Sequence, residues 1–268
     1  MQRLINVLGF FSMLSSASLL LLGCDSRSSV GSSLQTLFGD SPVSPRITVT
    51  IIADSSVGSP LGPAELGANI DAALAVAASR PRSSVAVWVM GATLPGTREL
   101  GRVTSPDAGT RGERAERAAQ RAWIEKSRAS LLHASRAVFV DRPRSSPIAE
   151  SLSVVAFARR GPNPTIVLVS DGLQVSAETG TDFECGRLPS PARFASRLRQ
   201  LSLLAPGSLS GTRIIFANDR VTAIDRCPIT LSRIAGVRRL WSEAIRDAGG
   251  TATFSTDAVT TEDLGGAQ

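Results

Sequence analysis

Apolar side chains recur along this chain with two spacings, and their alternation predicts the architecture. Residues 47–53, Ile47-Thr48-Val49-Thr50-Ile51-Ile52-Ala53, form a β-branched run interrupted only by Thr, which is the pattern of a buried strand. So continuous a run suits a parallel strand covered on both faces. Leu66, Ile70, Leu74 and Ala77 then recur at helical spacing, predicting a helix over 64–79 that ends at Arg80-Pro81. Strand-like runs return at 84–90, 137–140, 165–169, 212–217 and 251–254. Helical spacing returns over 111–134, 147–159 and 191–204, and again from 225–228 to about 248. Residues 91–110, with many Gly, Pro and Thr, and residues 173–189 read as loops. Strands alternating with helices predict an α/β fold with a doubly wound, mostly parallel sheet flanked by helices. From Ser255 onward the chain is polar and is expected to fray.

The first 45 residues follow a different pattern. Arg3 precedes a largely apolar stretch, 4–22, that ends Leu21-Leu22-Gly23-Cys24. That layout predicts a signal peptide, and the Leu-x-Gly-Cys ending resembles the bacterial lipobox. The resemblance implies that Cys24 carries acyl chains such as palmitate and becomes the first residue of the mature chain. The alternative is an uncleaved membrane helix, since roughly 20 apolar residues span a bilayer. Both place the domain at the cell membrane, facing the periplasm or the exterior. The expected organisation is a signal peptide over 1–23, a Ser-, Gly- and Pro-rich tether over 24–45, a folded domain over 46–255 and a polar tail over 256–268.

Charge and cysteine content narrow the function classes. The net charge is +6 and Lys126 is the only Lys, so the basic character is almost entirely Arg. Tyr is absent and no Arg-rich block interleaves with aromatics, which argues against nucleic acid as a partner. Basic charge favours an anionic membrane surface. Of three Cys, acylation of Cys24 leaves Cys185 and Cys227. In an oxidising compartment these are expected to form a disulfide, with two buried free thiols as the alternative.

The candidate chemistry sits where strands end. Asp54-Ser55-Ser56 follows the first run, and Ser170-Asp171-Gly172 follows the run at 165–169. Parallel strands in one sheet would bring Asp54 and Asp171 to the same edge, where open α/β sheets place ligands. Two carboxylates among hydroxyls suit a hard divalent cation. The blander alternatives are a turn or cap at Asp54 and an ordinary Asp-Gly turn at Asp171. His133 is the only His, which excludes a His-based metal cluster. Its place near a helix end suits a dipole contact. Trp88, Trp123 and Trp241 read as core, and Glu178, Asp182 and Glu184 as a solvated loop. No Gly-x-Ser-x-Gly elbow or phosphate-binding Gly loop occurs, so an enzyme is not expected. The rival reading is a metal-dependent hydrolase using Asp54 and Asp171. There Ser55 or Ser56 would need a base, and only His133 qualifies by type.

Three motifs together resemble the von Willebrand factor type A domain. Asp54-Ser55-Ser56-Val57-Gly58-Ser59 is similar to its Asp-x-Ser-x-Ser. Ser145-Ser146-Pro147 resembles the loop that presents a metal-binding Thr ahead of a Pro-led helix. Ser170-Asp171-Gly172 resembles its Thr-Asp-Gly. Two positions depart from the pattern: Gly58 stands in the second Ser place, with Ser59 one residue late, and Ser146 replaces Thr. The resemblance covers residues 46 to 255. It implies a metal-dependent adhesion site with Asp54, Ser56, Ser146 and Asp171 as ligands, Ser59 substituting if the loop bulges. Mg²⁺ completed by water fits such sparse oxygen ligation, and a degenerate, metal-free site is the alternative. The implied function is a binding module that holds a protein partner in the cell envelope. A structural envelope or secretion-complex lipoprotein with an inert site is a further alternative.

Overall fold

The β-branched run forms strand β1, Thr48–Ala53, and every residue of it is buried. The burial follows from its place in the sheet, between two parallel neighbours. The computed structural model describes residues 46–107, 112–140, 142–158, 164–220 and 227–265. In chain order these form β1, α1 (Pro63–Ala78), β2 (Ser84–Val89), β3 (Arg98–Thr104), α2 (Glu113–Ala134), α3 (Ile148–Ala158) and β4 (Pro164–Val169). There follow β5 (Val175–Ser176), β6 (Thr181–Asp182), α4 (Pro191–Gln200), β7 (Arg213–Ala217), α5 (Leu231–Asp247), β8 (Thr251–Phe254) and α6 (Thr261–Gly265). Six strands build one sheet in the order β3-β2-β1-β4-β7-β8. All its pairings are parallel except β2 with the edge strand β3. This is the doubly wound α/β fold that the alternation predicts.

Adjacent residues of one strand feed two cores, as the period of two requires. Val49, Ile51 and Ala53 join a cluster with Leu66, Ile70 and Leu74 of α1, Leu131 of α2 and Leu264 of α6. Ile52 joins the opposite cluster with Leu152 of α3, Phe194 of α4 and Trp241 of α5. Ile51 and Ile52 are both fully buried, each contributing roughly 1.5–3 kcal/mol of apolar burial. Trp88 and Trp241 are core residues as expected, whereas Trp123 is only partly buried and donates its indole N–H to the Thr104 carbonyl at 3.0 Å.

The structure corrects several sequence expectations. Residues 137–140 are not a strand: Ser135–Phe139 is a 3-10 helix. Its start is held by the Ser135 hydroxyl donating to the Leu131 carbonyl at 2.7 Å. The sheet has no vacant edge there for a strand, because β3 occupies the flank of β2. β3 itself lies inside the segment read as loop. As a charged, mostly exposed edge strand it carries little apolar signal. α4 ends at Gln200, four residues early, and the chain turns with positive φ at Ser202 and Leu204. α5 begins at Leu231, capped by Thr230, rather than at 225–228. Residues 255–265, after β8, do not fray. Val259 is buried, its amide donates to Asn69 of α1 at 3.0 Å, and α6 packs on α1.

Cys185 and Cys227 form a disulfide, with Cα atoms 5.5 Å apart. The proposed signal segment, Cys24 and the tether lie outside the described residues. Among the described residues no helix is long and apolar enough to cross a membrane.

Candidate metal centre

β1 and β4 are paired side by side, Ala53 opposite Val169. The chain leaves β1 toward β2 on one side and later returns as β4 on the other. Such a switch point opens a crevice at the carboxyl ends of the strands, and Asp54 and Asp171 stand there.

Asp54 is fully buried. Its Oδ1 accepts the Ser56 amide N–H at 2.9 Å. Its Oδ2 accepts the hydroxyls of Ser146 at 2.8 Å and Ser170 at 2.7 Å. A hydroxyl that donates to a carboxylate keeps its own oxygen lone pairs for another partner. The Ser146 oxygen is therefore held in place as a potential ligand, while the Ser170 oxygen already accepts the Gly172 amide at 3.1 Å and keeps one lone pair. Ser146 is itself fixed by a two-way backbone bridge to Val175, at 2.9 and 3.1 Å.

Asp171 is also buried, yet its carboxylate accepts one hydrogen bond among the described residues, from the Leu173 amide at 2.9 Å. Burial pushes its pKa well above the usual carboxylate range, and the neighbouring Asp54 charge adds to that rise. The Leu173 bond opposes it without winning. Gly172 follows with φ +76°, a conformation that only Gly adopts without strain. This turn lets the Gly172 carbonyl accept the Trp241 indole N–H at 2.8 Å.

The loop after β1 is clamped from outside the motif. The Arg142 guanidinium donates to the carbonyls of Ser55, Ser56 and Ser59, the last at 2.8 Å. The Val57 amide donates to the Pro143 carbonyl at 2.8 Å. Ser59 is buried, but its hydroxyl accepts the Leu61 amide at 3.3 Å. No bond joins Ser59 to either Asp among the described residues. Ser56 is buried in the same loop, its amide on Asp54.

The structure thus brings Asp54, Ser56, Ser146 and Asp171 to one sheet edge and adds three residues that sequence reasoning missed. Ser170 is the second hydroxyl on Asp54. Glu150, fully buried in the first turn of α3, accepts from Ser176 and from Gln174 Nε2, the latter at 3.0 Å. Gln174 Oε1 in turn accepts the Ala149 amide at 2.8 Å. Asp219 follows β7, the strand beside β4, and repeats the strand-end acid rule that singled out Asp54 and Asp171. Burial raises its pKa to about 6 although Arg238 Nε pairs with it at 2.6 Å. Neither Asp54 nor Asp171 caps a helix: α1 starts from Gly62 without a side-chain cap.

The donor set fits a hard cation in kind. It offers two carboxylates and oriented hydroxyls, and one buried carboxylate has little compensation. Among the described residues no group of three or more His, Cys, Asp or Glu is placed to hold a metal, so hydroxyls and water would have to complete the shell.

No protein-family model matches the chain. No curated protein sequence is significantly similar to it. Solved structures with a similar chain path include a von Willebrand factor type A protein from Catenulispora acidiphila. That match has 12% identity and a TM-score of 0.39, and covers 80% of this chain and 39% of the other. The PilB minor pilin from Streptococcus sanguinis matches with 10% identity and a TM-score of 0.44, covering 82% of this chain and 59% of the pilin. A point mutant of that pilin gives 10%, 0.43, 81% and 59%. The chain thus spans 39% to 59% of the length of these proteins. These likenesses concern the fold alone. The chain's own strand order is that of a doubly wound α/β sheet, and the three motif segments meet at its edge.

Proposed function

We propose that this chain is a lipid-anchored protein of the cell envelope whose von Willebrand factor type A-like domain binds a protein partner through a divalent cation. The convergence of Asp54, Ser146, Ser170 and Asp171 on one switch point carries this reading. Asp54, Ser56, Ser146 and Asp171 would hold the ion, Mg²⁺ by preference for oxygen. A bound cation supplies a positive centre that an acidic group of the partner can complete. The chain's own part is orientation. Asp54 aligns the two hydroxyls, Arg142 fixes the loop, and burial keeps Asp171 short of compensating charge. Binding rather than turnover is favoured because Ser55 donates its hydroxyl to the Met90 carbonyl at 3.0 Å, while His133 stands exposed at the end of α2.

The metal is tested by thermal melting. Mg²⁺ or Mn²⁺ at a hundredfold excess over Kd should stabilise wild type by about 2.7 kcal/mol, and Asp171→Asn should show no such rise. A flat melting temperature across millimolar concentrations of both ions, with no heat of binding, would remove the cation from the proposal. Capture of a partner from membranes by wild type, lost with EDTA and in Asp171→Asn, would establish the binding role.

The anchor is tested separately. The Leu21-Leu22-Gly23-Cys24 ending predicts that Cys24→Ala incorporates no labelled fatty acid and retains its signal segment. Equal labelling of wild type and variant would exclude Cys24 as the acylated residue.

A further inference from the structure

The loop stapled by Cys185–Cys227 and the first turns of α4 enclose a second concavity, of about 1000 Å³, lined by none of the candidate metal ligands. Its floor includes Phe183 and Phe194, both buried, packed edge-to-face at 5.2 Å and each in edge contact with Trp241. Arg187, Arg193 and Arg197 line its walls. Among the described residues none of the three forms an ion pair, whereas Arg199 on the same helix pairs with Asp247. Among the described residues Arg197 has only the Thr179 carbonyl, at 3.3 Å. The carboxylate lining the concavity is Asp182, whose Oδ1 already accepts the amides of Glu184 and Cys185.

Arg187, Arg193 and Arg197 are exposed, and two of them occupy positions that mildly disfavour a cation. Arg193 lies in the first turn of α4, which contains no acidic residue, and the helix dipole disfavours a cation there. Arg193 and Arg197 are four apart on one helix, a spacing at which like charges repel. An anion in the concavity would reverse both effects.

We propose that this concavity binds a compact anion bearing two or more phosphate groups. Planar guanidinium forks match phosphate oxygens, and a helix N-terminus favours the same charge. Among the described lining residues, three guanidinium charges against one carboxylate call for more than a single negative charge. The concave shape suits a discrete ligand rather than a flat bilayer. The site is independent of the metal centre, and the two can fail separately.

The test is calorimetric titration with inorganic pyrophosphate in divalent-free buffer. Wild type should bind one equivalent saturably. Arg187→Ala/Arg193→Ala should lose at least about tenfold in affinity, the loss expected for removing charged hydrogen bonds. Arg114→Ala/Arg121→Ala, removing the same charge from exposed positions on α2, should bind as wild type does, and so should Asp171→Asn. Arg193→Gln, which keeps most of the side-chain stem, should weaken binding without lowering the melting temperature. Absence of saturable binding, or equal weakening by both double variants, would overturn the site. Binding confined to phosphatidylglycerol vesicles, with none to pyrophosphate, would assign the charge to a membrane surface and overturn it equally.

Discussion

Asp54 and Asp171 end neighbouring strands, and each accepts the amide of the residue two positions on, yet the loops they open are held by different means. The loop after β1 is short. Its acid is saturated by two hydroxyls and an amide, and its carbonyls converge on Arg142. The loop after β4 is long. Its acid has one amide, and its order comes from elsewhere: the Glu150–Gln174 pair, the Ser146–Val175 bridge, the two-stranded β5–β6 pairing, Trp241 and the disulfide. One carboxylate therefore organises its loop, while the other is presented by a loop organised around it. A site that must be both rigid and short of compensating charge can be built by dividing the tasks in this way.

The largest effect should come from the covalent tie of the long loop. Cys185 and Cys227 are 42 residues apart, and a closed loop of that size contributes about 4 kcal/mol by the chain-entropy estimate. Cys185→Ser/Cys227→Ser should lose about that amount in urea unfolding. Hydrogen exchange should accelerate at 173–190 and stay unchanged at 54–62. Equal acceleration in both segments would show that the two loops are not separately held.

The two acids should then separate by substitution. Asp54→Asn replaces an acceptor of three hydrogen bonds with a group that itself carries two donors. It should cost about 3 kcal/mol, since a charged acceptor is lost and buried donors are left unpaired. Asp171→Asn removes a buried charge with one hydrogen bond and should lie within about 1 kcal/mol of metal-free wild type, on the stabilised side. Chemical denaturation without divalent ions measures both. Equal losses in the two variants would abolish the distinction between organiser and presented ligand.

This division was only partly legible in the sequence. The strand runs and the Asp-led endings are local signals, so the sheet and the pairing of Asp54 with Asp171 could be read from apolar periodicity. Ser146 is marked only by the resemblance of Ser145-Ser146-Pro147 to the family loop ahead of a Pro-led helix. The supports of the site were not visible, because each joins residues far apart in the chain. Arg142 acts on carbonyls more than 80 residues away, and no spacing rule announces that. Glu150 looks like an ordinary first-turn acid until Gln174 and Ser176 meet it. β3 was lost for a different reason: an exposed edge strand with Glu99 and Arg102 pointing to solvent has no apolar run to detect. Asp219 follows the same local pattern as the other two, an acid just beyond the end of an apolar strand run.

Asp219 also supplies the smallest and most specific prediction, because it extends the comparison to a third strand end. Like Asp171 it is a buried acid whose pKa rises through loss of hydration, but unlike Asp171 it has a cation, Arg238, at 2.6 Å. Burial outweighs the ion pair, leaving the folded pKa at about 6 against 3.8 for the free group. Between those values the folded state binds more protons than the unfolded state, so stability falls as pH rises. The contribution is fully present below about pH 3.8 and lost as pH passes through about 6. In Asp219→Asn this component disappears. From pH 4 to 6.5 the variant should decline less than wild type, by about 1 kcal/mol once solvent screening is allowed for. Asp171 has the same sign, and the Asp219 charge contributes to its rise, so the difference curve reports Asp219 together with its coupling to Asp171. Urea unfolding across that range gives the curve directly. Parallel pH profiles for wild type and variant would mean that Arg238 fully compensates Asp219, leaving Asp171 as the one strand-end acid with a strained charge.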